Sequence, residues 1–505
     1  MDIMLINPKL ADNDKGRYND YPLGLMYLSA ALARNNYNVI IYDLNYQNID
    51  NMYKTILEKK IKFIGITTCS SVIDDVLLIS QTIKLLSPKS FIVLGGHHVN
   101  NAYKEIMESF IQIDYIIVGE GEYSICKLAD IIRDDKFEEI KKVEGIVYRD
   151  NNDNIICINN PGIRDISLLS IPDWSRVISP IEHAKYYKKN DVLGMVLLAR
   201  GCPFNCSFCS IKIDSQKRWK CNNVESVLNE ILYLIQQYKV NYISYSDGDF
   251  LISIKKAMYI IKEANKYGIK KFCFSTRVDR LLANKQYIEK ILKYGCDSIE
   301  LGIESGSQTQ LNRYGKNTTV EMNQEAINLL KELQKKYDFY VNLDMIIFDP
   351  FTTMNEIIDS FKFLKINNFN NCKYDSCLLN IMRLNPGTKM SELTYNEKLA
   401  LKSHKLPHYK FINDDVALFY SMIKRFEIFI FEDLNNLRAT ITNKIVSNKN
   451  EKESLKYIKT IASLNCIFFE YFEDLINNGP AMYDEIYCKY LSKINYYKEL
   501  IINDK

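Results

Sequence analysis

Apolar, β-branched runs alternate with amphipathic helical stretches twice along this chain, once before and once after a proline-bearing segment, and this double alternation leaves few folds open. In the first block the runs are Ile3–Ile6, Val39–Tyr42, Phe63–Ile66, Phe91–Leu94 and Tyr115–Val118. Between them lie helical patterns at Leu23–Arg34, Ile49–Glu58, Val72–Leu86 and Tyr103–Phe110, and another starts at Glu122. Strands that are apolar throughout, each followed by a helix, predict a parallel sheet covered on both faces, an open doubly wound α/β domain. Ligands of such sheets lie across the carboxyl ends of the strands. Here those ends lead into Asn7-Pro8, Asp43, Thr67–Ser71, Gly95–Asn100 and Gly119–Glu122. Two short apolar runs within Gly145–Ile158, around Asn151–Asn154, predict a closing β-hairpin.

Pro161, Gly162, Pro172 and Pro180 then mark a linker. Beyond it the alternation restarts with predicted strands Gly194–Ala199, Tyr242–Tyr245, Lys271–Ser275, Ser298–Leu301, Tyr340–Ile347 and Ser376–Ile381. Helical patterns Val224–Tyr238, Ile254–Tyr267, Gln286–Tyr294, Val320–Lys336 and Glu356–Ile366 separate them. Six such strands predict a partial (β/α)6 TIM barrel, whose active end is again the carboxyl end. After about Ala400 only Lys-, Asn- and aromatic-rich helical stretches remain. The expected division is 1–160, a linker 161–190, a barrel 191–400 and a helical domain 401–505.

Bulk charge narrows the function little. Lys plus Arg number 65 against 62 Asp plus Glu, and a net charge of +3 gives no electrostatic reason to invoke nucleic acid. No stretch approaches the roughly 20 apolar residues of a membrane span. Ala417–Leu434 comes nearest and is broken by Lys424, Arg425, Glu427, Glu432 and Asp433. Met1–Pro8 reads as a strand with neither the basic region nor the cleavage site of a signal peptide. A cytoplasmic, reducing setting is therefore expected, in which the 13 cysteines do not imply disulfides.

The sharpest signal is Ala199-Arg200-Gly201-Cys202-Pro203-Phe204-Asn205-Cys206-Ser207-Phe208-Cys209, directly after the first strand of the second block. Three thiols at offsets of four and three on a loop suit one cubic iron–sulfur cluster whose fourth iron stays open to a substrate. Structural zinc takes four ligands, and the next thiol, Cys221, would be a distant completion. Cys372, Cys377, Cys466 and Cys488 show no such spacing.

The Cys-x3-Cys-x2-Cys run with Phe208 before its last thiol resembles the signature of radical S-adenosylmethionine (SAM) enzymes. The resemblance implies that Cys202, Cys206 and Cys209 hold a [4Fe–4S] cluster, that its free iron chelates SAM, and that Phe208 supports the adenine. It continues at later strand ends. Ser246, Asp247 and Gly248, within Ser246–Phe250, match the segment that meets the SAM amino group. Ser275 and Arg277 resemble the pair for ribose and carboxylate, and Glu304 in Leu301–Ser307 a further SAM partner. An ion-pair network bracing the barrel mouth is the plainer alternative for Arg277, Asp279 and Glu304. One departure stands at Phe348–Thr353, where many relatives carry Gly-Phe-Pro-Gly, which leaves contacts to SAM from that segment open.

The first block resembles the cobalamin-binding domain that precedes the barrel in one class of these enzymes. The matching residues are Asn7, Tyr21, Pro22, Leu23, Thr67, Ser70, Gly95, Gly96, His97, His98, Val99, Gly119, Glu120, Gly121 and Glu122. Glycines there would let backbone approach a flat corrin ring; the alternative is that they only shape turns, and no Gly-x-Gly-x-x-Gly run points to NAD. No histidine follows an Asp-x spacing, so the resemblance implies cobalamin without histidine on cobalt.

Together the two resemblances, which cover Asp2 to about Pro386, imply a cobalamin-dependent radical SAM methyltransferase. Its methyl group would pass from methylcobalamin to an unactivated carbon or phosphorus by way of a 5′-deoxyadenosyl radical. Rearrangement, ring contraction or cyclisation with the same cofactors remains open, as does a non-catalytic iron–sulfur or zinc binding module. A small-molecule or peptide substrate and an electron donor such as flavodoxin or ferredoxin are expected partners. Asp344, Asp349 and Tyr374 fall near barrel ends and are candidates for substrate contact or for structure. The C-terminal aromatics Phe419, Tyr420, Phe426, Phe429, Phe431, Phe468, Phe469, Tyr471 and Phe472 are expected mainly as core.

Overall fold

The computed structural model describes residues 1–10, 21–215, 218–368, 377–403, 405, 408–426 and 466–502. The first unit is a seven-stranded sheet in the order β2-β1-β3-β4-β5-β6-β7. Its strands are β1 (Asp2–Asn7), β2 (Asn38–Asp43), β3 (Phe63–Thr67), β4 (Phe91–Gly95), β5 (Tyr115–Ile117), β6 (Ile146–Arg149) and β7 (Ile155–Cys157). The first five are parallel, while β6 and β7 form the expected antiparallel hairpin. Ile3 and Leu5 enter one core and Met4 and Ile6 another, all with no exposed surface, so both faces of β1 are covered. The core on the Ile3 side runs on through Trp174 into the second unit.

One expected helix starts earlier than its sequence pattern suggests. The stretch expected from Tyr103 begins at Val99, although Val99, Asn100 and Asn101 are poor helix formers. Tertiary packing outweighs propensity there: Val99, Ala102 and Ile106 bury one face, and the Asn100 side chain accepts the Gly119 amide at 2.8 Å.

The second unit is a parallel sheet in the order β14-β13-β12-β11-β8, made of β8 (Leu193–Val196), β11 (Tyr242–Tyr245), β12 (Lys271–Arg277), β13 (Cys296–Glu304) and β14 (Tyr340–Met345). A short antiparallel ribbon, β9 (Ala199–Arg200) and β10 (Lys220–Cys221), rises from the end of β8. The sixth strand expected at Ser376–Ile381 does not form among the described residues. Cys377–Leu379 is a 3-10 turn, and the sixth position is reduced to a single parallel bridge, Phe348 to Ile381. Pro350 lacks the N–H that a further pairing needs, and Asp349 is drawn into side-chain bonds instead. Ser376, Cys372, Tyr374 and His404 lie outside the described residues.

Three helices, 414–426, 466–478 and Tyr483–Ile502, pack beyond the barrel. Phe419, Phe426, Phe468, Phe469, Tyr471 and Phe472 are buried, with Phe426 stacked on Tyr471 at 4.0 Å and Phe472 on Phe361 of the barrel at 5.2 Å. Tyr420 packs edge-on against Phe348, while Phe429 and Phe431 lie outside the described residues. Among the described residues no helix is long and apolar enough to cross a membrane.

Candidate active site

The three thiols sit on a loop that is fastened on every side. At its start the Asp247 carboxylate, from the end of β11, accepts the backbone amides of Leu198, at 3.1 Å, and of Ala199. Burial pushes Asp247 up to about 7 despite these bonds. Next, Gly201 turns with φ +80°, and a Cβ there would overlap the Arg218 carbonyl. Further on, Ser207 donates its amide to Tyr314 at 2.8 Å and its hydroxyl to the Arg313 carbonyl at 3.0 Å, and accepts the Met390 amide at 2.8 Å. Arg313 is itself clamped by Asp349 and Glu356, each at 2.8 Å. Asp349, a candidate for substrate contact, is thus fully buried in this brace, where it also accepts the Tyr314 hydroxyl at 2.9 Å. Phe208 meets Tyr314 edge to face at 5.5 Å.

Cys202, Cys206 and Cys209 are half-buried and lie within electrostatic reach of one another. Burial raises the Cys202 thiol and pushes Cys209 up to about 12, so as free side chains they stay protonated. Arg277 answers this with a guanidinium N–H 3.1 Å from the Cys206 sulfur. Two further donors go to Asp279, at 2.8 Å, and to the Lys316 carbonyl, and Phe204 stacks beneath it at 4.0 Å. Among the described residues no three His, Cys, Asp or Glu side chains close on a single metal ion. An all-thiol set suits a larger iron–sulfur cube, in which each thiolate takes a different iron and the metal charge supplies what burial withholds.

The other strand ends converge on the same mouth. Ser246 continues the β8–β11 pairing through its amide, and Gly248 lies where a Cβ would stand 3.4 Å from the Gly201 carbonyl. Asp249 takes the Thr276 hydroxyl at 2.9 Å and leaves its second oxygen buried without a hydrogen bond; burial pushes it up to about 6. Ser275, on the same face of β12 as Arg277, donates to Glu300 at 2.5 Å. Glu304 ends β13 at φ +66°, in the left-handed region, where the pairing register with β14 slips. Such an outlier in a bulky residue marks a site that the surroundings over-determine. What holds it is Lys316, a residue that the sequence reading missed, whose ammonium donates to Glu304 at 2.5 Å; a Cβ on Gly302 would press on both groups at 2.7 Å. The two side chains are 4% and 10% exposed. Lys316→Met would strand a buried carboxylate and is expected to cost about 3–5 kcal/mol, read as a lower denaturation midpoint with Lys316→Arg as the milder control.

In the first unit the carboxyl-end loops separate into two groups. Gly95 carries open space, with only the Ile117 carbonyl near a Cβ at 3.8 Å, and Gly24 has nothing within 4 Å. Gly96, at φ +98°, brings its backbone against Thr67 and Thr68, where a Cβ would lie 2.5 Å from the Thr68 carbonyl. Of the adjacent histidines, His97 is exposed and His98 is buried, its Nδ1 2.9 Å from the Ser70 hydroxyl. Asn7 donates to Asp43 at 3.0 Å. A surface of glycine backbone and small side chains, behind which His98 is held by Ser70, fits a broad flat ring.

The second group is committed elsewhere. Leu23 and Val99 are core residues, and Pro22 opens the first helix, accepting the Met26 amide. Tyr21 is fully buried between Trp174 and His183, at 4.8 and 4.9 Å, and donates to the Leu193 carbonyl at the foot of β8. Gly119, at φ +79°, and Gly121 shape the turn that carries Glu120 and Glu122. Arg200 donates to Glu122 at 2.7 Å and lies 3.4 Å from Glu120, and Lys220 also binds Glu120. Arg200 further stacks on Tyr27 at 4.6 Å.

Beside this group Glu230 is buried, one oxygen has no hydrogen bond, and burial outweighs nearby Arg200 to push its carboxyl up to about 8. The folded state therefore keeps a proton that the unfolded chain releases near pH 4.5, the ordinary glutamate value. Stability should fall as pH rises from about 4.5 to about 8. Glu230→Gln, which cannot ionise, is expected to flatten that slope in thermal melts taken at pH 6 and pH 9.

An α/β unit whose sheet ends on a glycine-lined surface, set against a partial barrel that carries three thiols on its first loop, is the arrangement of a multi-cofactor iron–sulfur enzyme. The Radical SAM superfamily model matches residues 196–364 and the B12 binding domain model residues 14–129. The chain thus carries a radical SAM domain and a B12 binding domain, and its cofactors are a [4Fe–4S] cluster, SAM and cobalamin. It is 28% identical over 383 residues to an uncharacterized methyltransferase of Pyrococcus horikoshii, covering 75% of this chain and 80% of that one. It is 29% identical over 341 residues to an anaerobic magnesium-protoporphyrin IX monomethyl ester cyclase of Cereibacter sphaeroides, covering 64% of this chain and 54% of the cyclase. Among solved structures, the cobalamin-dependent SAM radical enzyme OxsB with aqua-cobalamin and SAM bound matches with a TM-score of 0.75 and 19% identity, over 98% of this chain and 75% of that one.

Proposed function

We propose that this enzyme methylates an unactivated carbon or phosphorus centre of a small-molecule or peptide substrate. Cys202, Cys206 and Cys209 would hold the cluster. Phe208, Ser246, Gly248, Ser275, Arg277 and Glu304 would surround SAM, with Asp247 acting on the loop backbone. Asn7, Thr67, Ser70, Gly95, Gly96 and His97 would face cobalamin, with the buried His98 behind them. When bound, the cluster supplies the electron that cleaves SAM to a 5′-deoxyadenosyl radical, and cobalamin supplies the methyl group.

The chain's own part is to bring the two sites together. The observation that supports this reading is the contact between the carboxyl ends of both sheets: Ser70 donates to Asn385 at 3.3 Å, and Gly387 abuts the Asn101 side chain. Ends held in contact would keep separately bound groups close to each other, which is what transfer between them requires. An external reductant such as flavodoxin or ferredoxin would serve the cluster in a cytoplasmic setting. The likeness to the cyclase supports a second reading, ring closure with the same cofactors.

The test is anaerobic reconstitution with iron, sulfide, cobalamin, SAM and a strong reductant. Release of both 5′-deoxyadenosine and S-adenosylhomocysteine supports methylation. Deoxyadenosine without the homocysteine favours the cyclase-like reading, and failure to retain cobalamin defeats both.

A further inference from the structure

Glu120 and Glu122 sit at the carboxyl end of β5, among the loops expected to face the corrin, yet both carboxylates are engaged by the barrel unit. Their partners, Arg200 and Lys220, are register neighbours on the ribbon β9–β10, and Arg200 immediately precedes Gly201 and Cys202. The four side chains are 6–17% exposed. Glu120 also accepts the Ile163 amide at 2.6 Å, and the Asn160 side chain donates to its carbonyl at 3.0 Å, so the turn is held from behind as well. Tyr27 closes the Arg200 face, and Glu122 keeps one buried oxygen without a hydrogen bond.

We propose that Glu120 and Glu122 are positioning residues which, through Arg200 and Lys220, set the thiol loop against the cobalamin unit, and that neither carboxylate touches cobalamin. The inference rests on the reading above of the loop as the cluster site. Because only Gly201 separates Arg200 from Cys202, a shift of the clamp is passed directly to that thiol. Charge-assisted bonds between buried partners fix geometry as well as contributing energy. A displacement of about 1 Å at a reacting group lowers function by about a hundredfold.

The test uses the full chain reconstituted with cluster and cobalamin. Cobalamin is counted by its absorbance, and SAM binding is followed as the change it causes in the paramagnetic resonance spectrum of the reduced cluster. Glu122→Gln and Glu120→Gln are near-isosteric, and each is expected to keep wild-type cobalamin content while the SAM midpoint rises roughly tenfold. Arg200→Gln should reproduce the shift, and Arg200→Lys, which keeps the charge, should recover part of it. Variants that lose cobalamin with the SAM midpoint unchanged would overturn the proposal and make the two glutamates cobalamin contacts. Unchanged cobalamin and an unchanged midpoint would overturn it as well. Were the wild-type chain to hold no cobalamin, the functional reading would fail, and the SAM midpoint would still decide the clamp.

Discussion

Replacing Cys206 by alanine is expected to abolish SAM cleavage, lowering 5′-deoxyadenosine formation by roughly a thousandfold or more. Two thiols cannot retain a cube that three were spaced to hold, and Cys206 is the one that faces the Arg277 guanidinium at 3.1 Å. Its loss removes an iron ligand and leaves a buried cation facing an empty place. Iron and sulfide per chain should fall in proportion, together with the visible absorbance of the cluster. Cys126→Ala serves as the comparison, since Cys126 lies half-buried on a helix of the first unit beside Asn35. A Cys206→Ala protein that binds iron and sulfide at wild-type levels would defeat the assignment of the loop.

Gly201→Ala is expected to act as severely without touching a thiol. At φ +80° any L-residue is strained, and here the added methyl also overlaps the Arg218 carbonyl and presses on Ser215. The ribbon that carries Arg200 and Lys220 would have to open, at a cost of about 4 kcal/mol or more. Faster proteolysis between β9 and β10 and poor cluster loading are the expected readouts. Gly248→Ala provides the contrast: its Cβ would meet the Gly201 carbonyl at 3.4 Å, a distance the loop can absorb. Equal losses in the two variants would argue against the turn as the controlling feature.

The backbone of this enzyme was largely legible from periodicity. The strands of both sheets, the hairpin and the helix Leu23–Arg34 fall where apolar spacing puts them, and in the first sheet burial on two faces leaves an unbroken apolar run. The sixth barrel strand was not legible, since a single bridge at Phe348 has the same local composition as the start of a strand. Side-chain commitments were the harder part. A motif fixes where the chain places Asp247, Glu120 or Tyr21, but their bonding depends on partners far away in sequence. Arg200 lies 78 residues beyond Glu122, and Leu193 lies 172 beyond Tyr21. Lys316 carried no signal of its own, because a lysine in a helix-to-helix connection is ordinarily a solvated one.

The junction at Gly387 bears on how such enzymes can be recombined. With φ +78° and the Asn101 side chain 2.5 Å from where a Cβ would stand, the separation of the two units is set by an atom that is missing. A chimera joining this barrel to another B12-binding unit would inherit that clearance, and a larger neighbour than asparagine at the matching position would wedge the halves apart. Modularity in this architecture is thus conditional. A donor unit has to supply the bound cofactor together with the outline of one side chain, and grafts chosen by that outline should assemble where grafts chosen by cofactor alone do not.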